Sequence, residues 1–437
     1  MIVQATFENI LSFNEKTSIS FVAGKSDSHS SHVLRAEKRD DISVLKTAVI
    51  YGANAAGKSN IIKAIYLLQM IVLGEWPKGQ IEPFKLKDPD LKPSKIELTF
   101  KFEDKYYSYG VKCNSQGILE EWLQEINHRS KKEIFSRKKT KKEFVYKFPL
   151  AKKTDFLAFL SKGTPDTKSF LSEYMNRHGE DLEPIKKVYT WFDDYLQVIF
   201  PESKYDGLSF KFEEDLEFKK AFTDLLSFFN TGVVSIKNIK GVKKEDLNLP
   251  PKFIDEIFSS AKPGKKMFLT TPDGEWLFFE MTAHGVVNIN KLKTIHEDKN
   301  KKQYTFNMSD ESDGTIRLLD FLPMLIKLKN EDSVFLIDEI DRSLHPRMSY
   351  EILNCYLSYL SPSKQSQLIT TTHECHLLNL DLIRQDEVWF VEKDENGASR
   401  LTSLAKYKPR EDIRKGYLAG HYGAIPCFAS LKELKWP

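Results

Sequence analysis

The chain of 437 residues is short of cysteine, of long apolar runs and of net charge, and each shortage closes off a class of protein. Its four cysteines, Cys113, Cys355, Cys375 and Cys427, stand far apart with no CxxC pair. Neither a disulfide framework nor a zinc site is expected, and they read as small buried hydrophobes. The longest apolar stretch, residues 64–72 with Gln69 inside it, is roughly half of what a bilayer span needs. The opening Met1-Ile2-Val3-Gln4 lacks the basic start of a signal peptide, so a cytoplasmic protein without membrane contact is expected. A formal net charge of +3 on so large a chain would not by itself hold a nucleic acid. Internal repeats and low-complexity tracts are lacking as well.

What is present describes a chain that folds. Hydrophobic residues make up 41% and charged residues 29%, ordinary values for a globular protein and too apolar for a disordered one. Any basic surface must be local, and the densest candidate runs from Arg129 to Lys142, with Lys131, Lys132, Arg137, Lys138, Lys139, Lys141 and Lys142 against Glu133. Charge runs are usually solvated, which makes a hairpin tip the ordinary reading and a nucleic-acid contact the sharper one.

Three parts can be read along the chain. Residues 1–125 open with alternating strand patterns at 1–22 and a polar His/Ser loop at 23–31. A largely apolar run follows at 45–51, as in a strand buried on both faces, and then a helical pattern at 59–73. Strand patterns recur at 95–103, 106–112 and 144–148, an antiparallel flank. Residues 126–262 turn mostly helical: Phe218, Phe222, Leu225, Leu226 and Phe229 recur at three- and four-residue spacing, as do Tyr189, Phe192 and Leu196. Residues 263–437 bring strands at 266–270 and 276–281, a charged loop at 296–302, and an alternation of helix and strand over 309–391, the wiring of an α/β nucleotide-binding core.

Gly52-Ala53-Asn54-Ala55-Ala56-Gly57-Lys58-Ser59 fits GxxxxGK[ST] and lies between the buried strand ending at Tyr51 and the helix beginning at Ser59. Gly52 and Gly57 let successive N–H groups turn inward, from Asn54 to Asn60 the backbone can wrap a triphosphate, and Lys58 reaches the β and γ phosphates. Ser59 would hold Mg²⁺. Alone, this P-loop leaves kinase, GTPase, helicase and ABC readings open. Val334-Phe-Leu-Ile-Asp338-Glu339 is an apolar strand ending in two carboxylates, the first to order Mg²⁺ and the second to polarise the attacking water. A further strand, 367–371, ends at Thr372-His373 and places a histidine where it can sense the γ phosphate.

Between these motifs, Glu311-Ser312-Asp313-Gly314-Thr315 precedes the apolar helix 316–328 and resembles the ABC signature. In that signature a serine hydroxyl and a glycine N–H at a helix N-terminus bind the γ phosphate held by a second copy. Ser312 and Gly314 match. Asp313 stands where glycine is usual and would either cap the helix or repel the phosphate. Ile340-Asp341-Arg342-Ser343-Leu344-His345-Pro346 is similar to the D-loop of ABC ATPases, with Asp341 assigned to the nucleotide interface. Gln80 is the one Q-loop candidate, and nothing around it marks it as such.

Taken together, ESDGT, LIDEIDRSLHP, TTHE, the strand Val388-Trp-Phe-Val-Glu-Lys393 and the tail Gly416-Tyr-Leu-Ala-Gly-His-Tyr-Gly-Ala-Ile-Pro426 resemble the RloA/AbiL-type ATPases. These are relatives of the OLD-family nucleases and of the AriA subunit of PARIS anti-phage systems. The resemblance implies an α/β ABC-type, SMC/Rad50-like ATPase head with a mixed sheet, an antiparallel flank and a mostly helical insertion. Residues 1–125 and 263–437 would be its two lobes and 126–262 the insertion. It implies Mg²⁺-dependent ATP hydrolysis by Lys58, Glu339 and His373 in a homo-oligomer that sandwiches ATP. It also implies a role in abortive infection beside a separately encoded effector, an RloB-like protein or a Toprim nuclease, with DNA or a phage protein as a further partner. About forty residues follow Lys393, too few for the strands and paired aspartates of a Toprim domain, so intrinsic nuclease activity is not expected. The alternative is a RecF- or SMC-like ATPase of DNA repair or maintenance that uses the basic run on backbone phosphates.

Overall fold

The computed structural model describes the chain except residues 38–40, 88–91, 128–129, 142, 150–154, 178, 180–181, 206–207, 209–210, 213–214, 248, 261–265, 283, 410–411 and 427–437. Arg129 and Lys142, the ends of the basic run, and Cys427 lie outside the described residues. The chain divides into two compact units. The first comprises Met1–Pro201, Leu328–Arg342 and Leu353–Pro437, the second Glu202–Lys327 and Ser343–Ile352. The stretch 126–262 is therefore shared between them.

The first unit contains a six-stranded sheet in the order Leu196–Ile199, Val334–Ile337, Gln367–Thr371, Thr47–Gly52, Val388–Lys393 and Ser399–Ser403. All neighbours are parallel except the last pair. Thr47–Gly52, Val334–Ile337 and Gln367–Thr371 are buried along their whole length, as inner strands of a parallel sheet are; Val334–Ile337 is apolar throughout, and Thr47, Gln367, Thr370 and Thr371 are buried polar residues of the other two. Because these three strands are parallel, their C-terminal ends reach one edge, bringing together residues that are hundreds of positions apart.

A seven-stranded antiparallel sheet completes this unit, in the order Phe144–Lys147, Lys131–Lys139, Gly117–Ile126, Lys105–Asn114, Ser94–Phe102, Ile2–Glu8 and Thr17–Ser20. The helix Lys58–Val72 contacts both Thr47–Gly52 and Ser94–Phe102. Ile61, Ile65, Leu68 and Val72, spaced by four, three and four, share a core with Phe7, Phe100 and Tyr109. Each such buried side chain contributes about 1.5–3 kcal/mol. This core fixes the helix whose first turn carries Lys58. The expected α/β architecture with its antiparallel flank is thus observed.

Three stretches depart from the expected elements. The basic run is largely a strand, Lys131–Lys139, rather than a loop tip. Its register sets Lys138 opposite Glu120 and Arg137 opposite Glu121, and opposed charges favour the pairing. The helical stripe through Tyr189 and Phe192 stops in a π-turn at Trp191–Tyr195, and Leu196 opens an edge strand beside Val334–Ile337. Val233–Ile239, inside the stretch expected to be helical, is a strand in which Val233, Val234, Ile236 and Ile239 are β-branched, paired with Val287–Glu297.

In the second unit Val287–Glu297 also pairs with Trp276–Met281 and Gln303–Asn307, and Lys266–Thr270 extends the sheet. Leu247, Ile254, Ile257, Leu277, Phe279 and Ile289 form a small core there. Among the described residues no helix is long and apolar enough to cross a membrane.

Candidate functional site

In the first unit, the turn from Thr47–Gly52 into Lys58–Val72 is shaped by glycines that admit no side chain. A Cβ at Gly52 would lie 2.5 Å from the Val391 carbonyl oxygen. At Gly57, where φ is 108°, it would lie 2.2 Å from Ser399 Oγ and 2.5 Å from Ser12 Oγ. Ala55 also takes a left-handed φ of 62°, and the Ala56 carbonyl accepts a hydrogen bond from Ser399 Oγ at 2.5 Å. Asn54 and Ala55 are exposed, Ala56 is buried, and Ser59 and Asn60 are half-buried in the first helical turn. The turn is braced by Ser399 and Ser12 on one side and exposed at Asn54 and Ala55, where a phosphate would approach.

Lys58 is 5% exposed, and its Nζ donates to the Gly52 carbonyl at 2.8 Å and the Ala53 carbonyl at 3.2 Å. His373 Nδ1 lies 3.5 Å from the same Nζ, so the strand end at 372–373 does reach the P-loop. Burial pushes the Lys58 ammonium down to about 8, against Glu339, Asp338 and Asp341, whose charges favour the protonated form. Burial and the Lys58 ammonium together hold the His373 imidazole below its usual range.

A binding prediction follows from the lysine. Above pH 8 the free protein holds Lys58 increasingly neutral, whereas a bound triphosphate favours the charged form, so binding takes up a proton. ATP affinity is expected to fall as pH rises above 8, by up to about tenfold per unit. Calorimetry at pH 8.5 in buffers of different ionisation enthalpy should register the uptake; heats independent of buffer would refute it.

Asp338 is 3% exposed and accepts from Thr371 Oγ1 at 2.6 Å. The same Oγ1 accepts the Glu339 backbone N–H at 2.8 Å, and Ile340 N donates to the Thr371 carbonyl at 3.1 Å. Glu339 adopts a left-handed φ of 55°, a conformation a non-glycine residue keeps only when its surroundings enforce it. Asp341 accepts from Thr372 Oγ1 at 2.7 Å and from the His373 N–H at 3.2 Å. Its carboxylate thus shapes the turn that presents His373. Ser59 and Asp338 supply a hydroxyl and a carboxylate, oxygen donors of the kind Mg²⁺ takes.

In the second unit, Ser312 caps the helix Asp313–Asn330: Thr315 N donates to its Oγ at 3.1 Å and Ile316 N to its carbonyl at 3.0 Å. Asp313 is therefore not the cap; it is an exposed residue of the first turn. Gly314 is required because a Cβ there would lie 2.8 Å from the Ser343 carbonyl oxygen, Ser343 itself having a φ of 61°. A cavity of about 540 Å³ opens at Ser312 and Gly314, lined also by Asn230, Thr231 and His345. Gln80 lies in an exposed turn, its N–H bonded to the Pro77 carbonyl at 3.0 Å.

Sequence reasoning missed Thr371, which holds Asp338 and the Glu339 backbone together, and Ser12 and Ser399, which brace the P-loop. The signal for Thr371 was its place next to Thr372-His373 at a strand end. Nothing local marks the two serines.

A model of the family described as "AAA domain, putative AbiEii toxin, Type IV TA system" matches residues 48–379, from the P-loop strand through His373. The chain belongs to this AAA-domain family. Membership makes it an ATPase-type, nucleotide-binding protein. Among solved structures, this AAA-domain chain is similar to the SMC head domain from Thermotoga maritima at 14% identity and a TM-score of 0.37, over 92% of this chain and 98% of that one. It is similar at 14% identity and a TM-score of 0.42 to an SmcHead bound to the C-winged helix domain of ScpA, over 93% and 98%. No curated protein matches it.

Proposed function

We propose that the chain is a Mg²⁺-dependent ATPase whose two copies pinch ATP between the P-loop centre of one and the Ser312–Gly314 helix N-terminus of the other. Acting in an anti-phage, abortive-infection setting, it would switch a separately encoded effector. The observation that carries the reading is that one chain holds two arrangements of the kind suited to phosphate. One is the cradle with Lys58, Asp338, Glu339 and His373; the other is an exposed serine cap whose helix holds a tight glycine. A helix N-terminus favours anions, and a second such device in one chain suits a nucleotide shared between copies. Bound Mg²⁺, held by Ser59 and Asp338, would offset phosphate charge. Lys58 orients the phosphates, Glu339 takes the role of general base, and His373, pinned through Asp341, reads the γ position. The family description, with its toxin and TA system, supports the defence setting, as does the resemblance to RloA/AbiL-type ATPases.

A mixing experiment tests the shared site. Lys58→Ala and Ser312→Ala variants are each expected to lose ATP turnover, because every site in such a dimer lacks one half. Mixed after subunit exchange, half of the dimers pair the two variants and each of these carries one intact site of two, so about a quarter of wild-type turnover should return. A mixture as inactive as its parts would sink the sandwich reading.

The DNA-repair alternative draws on the basic run, and the side chains there favour it less. Arg137 is fully buried against Glu121, Lys138 pairs with Glu120 at 2.7 Å and Lys139 with Asp166. Salt-sensitive duplex binding that vanishes when Lys131, Lys132 and Lys141 become glutamate would revive it.

A further inference from the structure

Glu311 stands one residue before Ser312, and a carboxylate beside a phosphate-binding serine should repel the phosphate. In the second unit that charge is turned away. The Glu311 side chain is only 6% exposed, and its Oε1 accepts from His296 Nε2 at 2.6 Å and from Thr294 Oγ1. A carboxylate is acceptor-only, so the imidazole must donate from Nε2. Both partners lie on the long strand Val287–Glu297, Thr294 fully buried and the His296 ring 4.6 Å from the Phe306 ring. The chain leading in is also held: Asn307 N donates to the Asp310 carboxylate at 2.8 Å across the turn Met308–Asp310, and Glu311 N donates to the Met308 carbonyl at 3.2 Å. Ser312 thus hangs between an anchored carboxylate and the helix it caps, with no slack on either side.

We propose that Glu311 is a positioning residue for the shared nucleotide site. Latched to His296 and Thr294, it fixes the backbone that aims the Ser312 hydroxyl and keeps a negative charge out of the space a partner copy's γ phosphate would enter. This inference rests on the sandwich reading proposed above. Charge-assisted, buried hydrogen bonds hold geometry well, and partners that orient metal ligands, a comparable supporting role, change affinity or activity by about 10–100-fold when removed.

The test uses the full chain. Glu311→Ala is expected to lower kcat by about tenfold or more while ATP binding at the P-loop of the same chain, read with a fluorescent ATP analogue, stays within about twofold. His296→Ala should cost more than Glu311→Ala, since it loosens the anchor and leaves the charge in place; the double variant should match Glu311→Ala alone. Glu311→Gln, which keeps an acceptor oxygen, should recover part of the activity and serves if the alanine variant fails to fold. In mixing, Glu311→Ala should be rescued by Lys58→Ala chains and not by Ser312→Ala chains. Wild-type turnover in Glu311→Ala overturns the proposal. So does failure of Lys58→Ala to rescue it while Lys58→Ala still rescues Ser312→Ala. If that control pair also fails, the sandwich reading falls and this inference with it.

Discussion

Glu339→Gln should turn over ATP at least about a hundredfold more slowly than wild type while still binding nucleotide, because removing a positioned general base costs about 10²–10⁴ in rate. The substitution is isosteric, and the features that aim residue 339 belong to the backbone: its N–H is held by Thr371 Oγ1 at 2.8 Å and its φ of 55° is set by the turn after Val334–Ile337. What changes is the proton affinity of the side chain. The loss should therefore appear in kcat with little change in KM, whereas Lys58→Ala should weaken ATP binding as well, since that ammonium sits at the cradle itself. Steady-state hydrolysis and equilibrium binding on the three proteins separate the cases. Equal turnover in all three would end the claim that this centre hydrolyses ATP.

The parts of this centre that sequence revealed are those whose chemistry is local. Gly52 to Ser59 is a single turn between a buried strand and a helix, recognisable from its own spacing even though Gly52 and Gly57 are also confined by the distant Val391, Ser399 and Ser12. Asp338 and Glu339 close an unbroken apolar strand, which is a local pattern too. Thr371 escaped because its function depends on which strand lies next to which. Only the order that inserts Gln367–Thr371 between the acidic strand and the P-loop strand puts its hydroxyl between Asp338 and Glu339. Ser399 likewise braces Ala56 across 343 positions of sequence. Asp313 shows the converse limit. Its type suits a cap, but the cap is decided by which residue leaves the helical conformation first, and that residue is Ser312. The strand Lys131–Lys139 was hidden by its own charge, because its acidic complement lies on the preceding strand Gly117–Ile126, and periodicity within one segment carries no record of a partner.

That strand yields a second large expected effect, on stability. Arg137 and Glu121 are both fully buried, 2.6 Å apart, and the carboxylate also accepts from Tyr109 OH at 2.9 Å and Phe170 N at 3.0 Å. Arg137 in turn donates to Tyr146 OH at 3.3 Å and to the Lys168 carbonyl, and stacks over Phe144 at 4.7 Å. Arg137→Met keeps most of the volume but strands a buried charge, and breaking such a pair costs about 3–5 kcal/mol. Replacing both members, Arg137→Met with Glu121→Gln, should cost less than the single change, because the unpaired charge is gone. Lys131→Glu, on an exposed position of the same strand, should stay within about 0.5 kcal/mol of wild type. Urea unfolding midpoints of the three variants decide the matter. If Arg137→Met were as stable as wild type yet lost affinity for duplex DNA, the arginine would be a ligand contact rather than a structural ion pair, and the DNA-binding reading of the basic run would regain its footing.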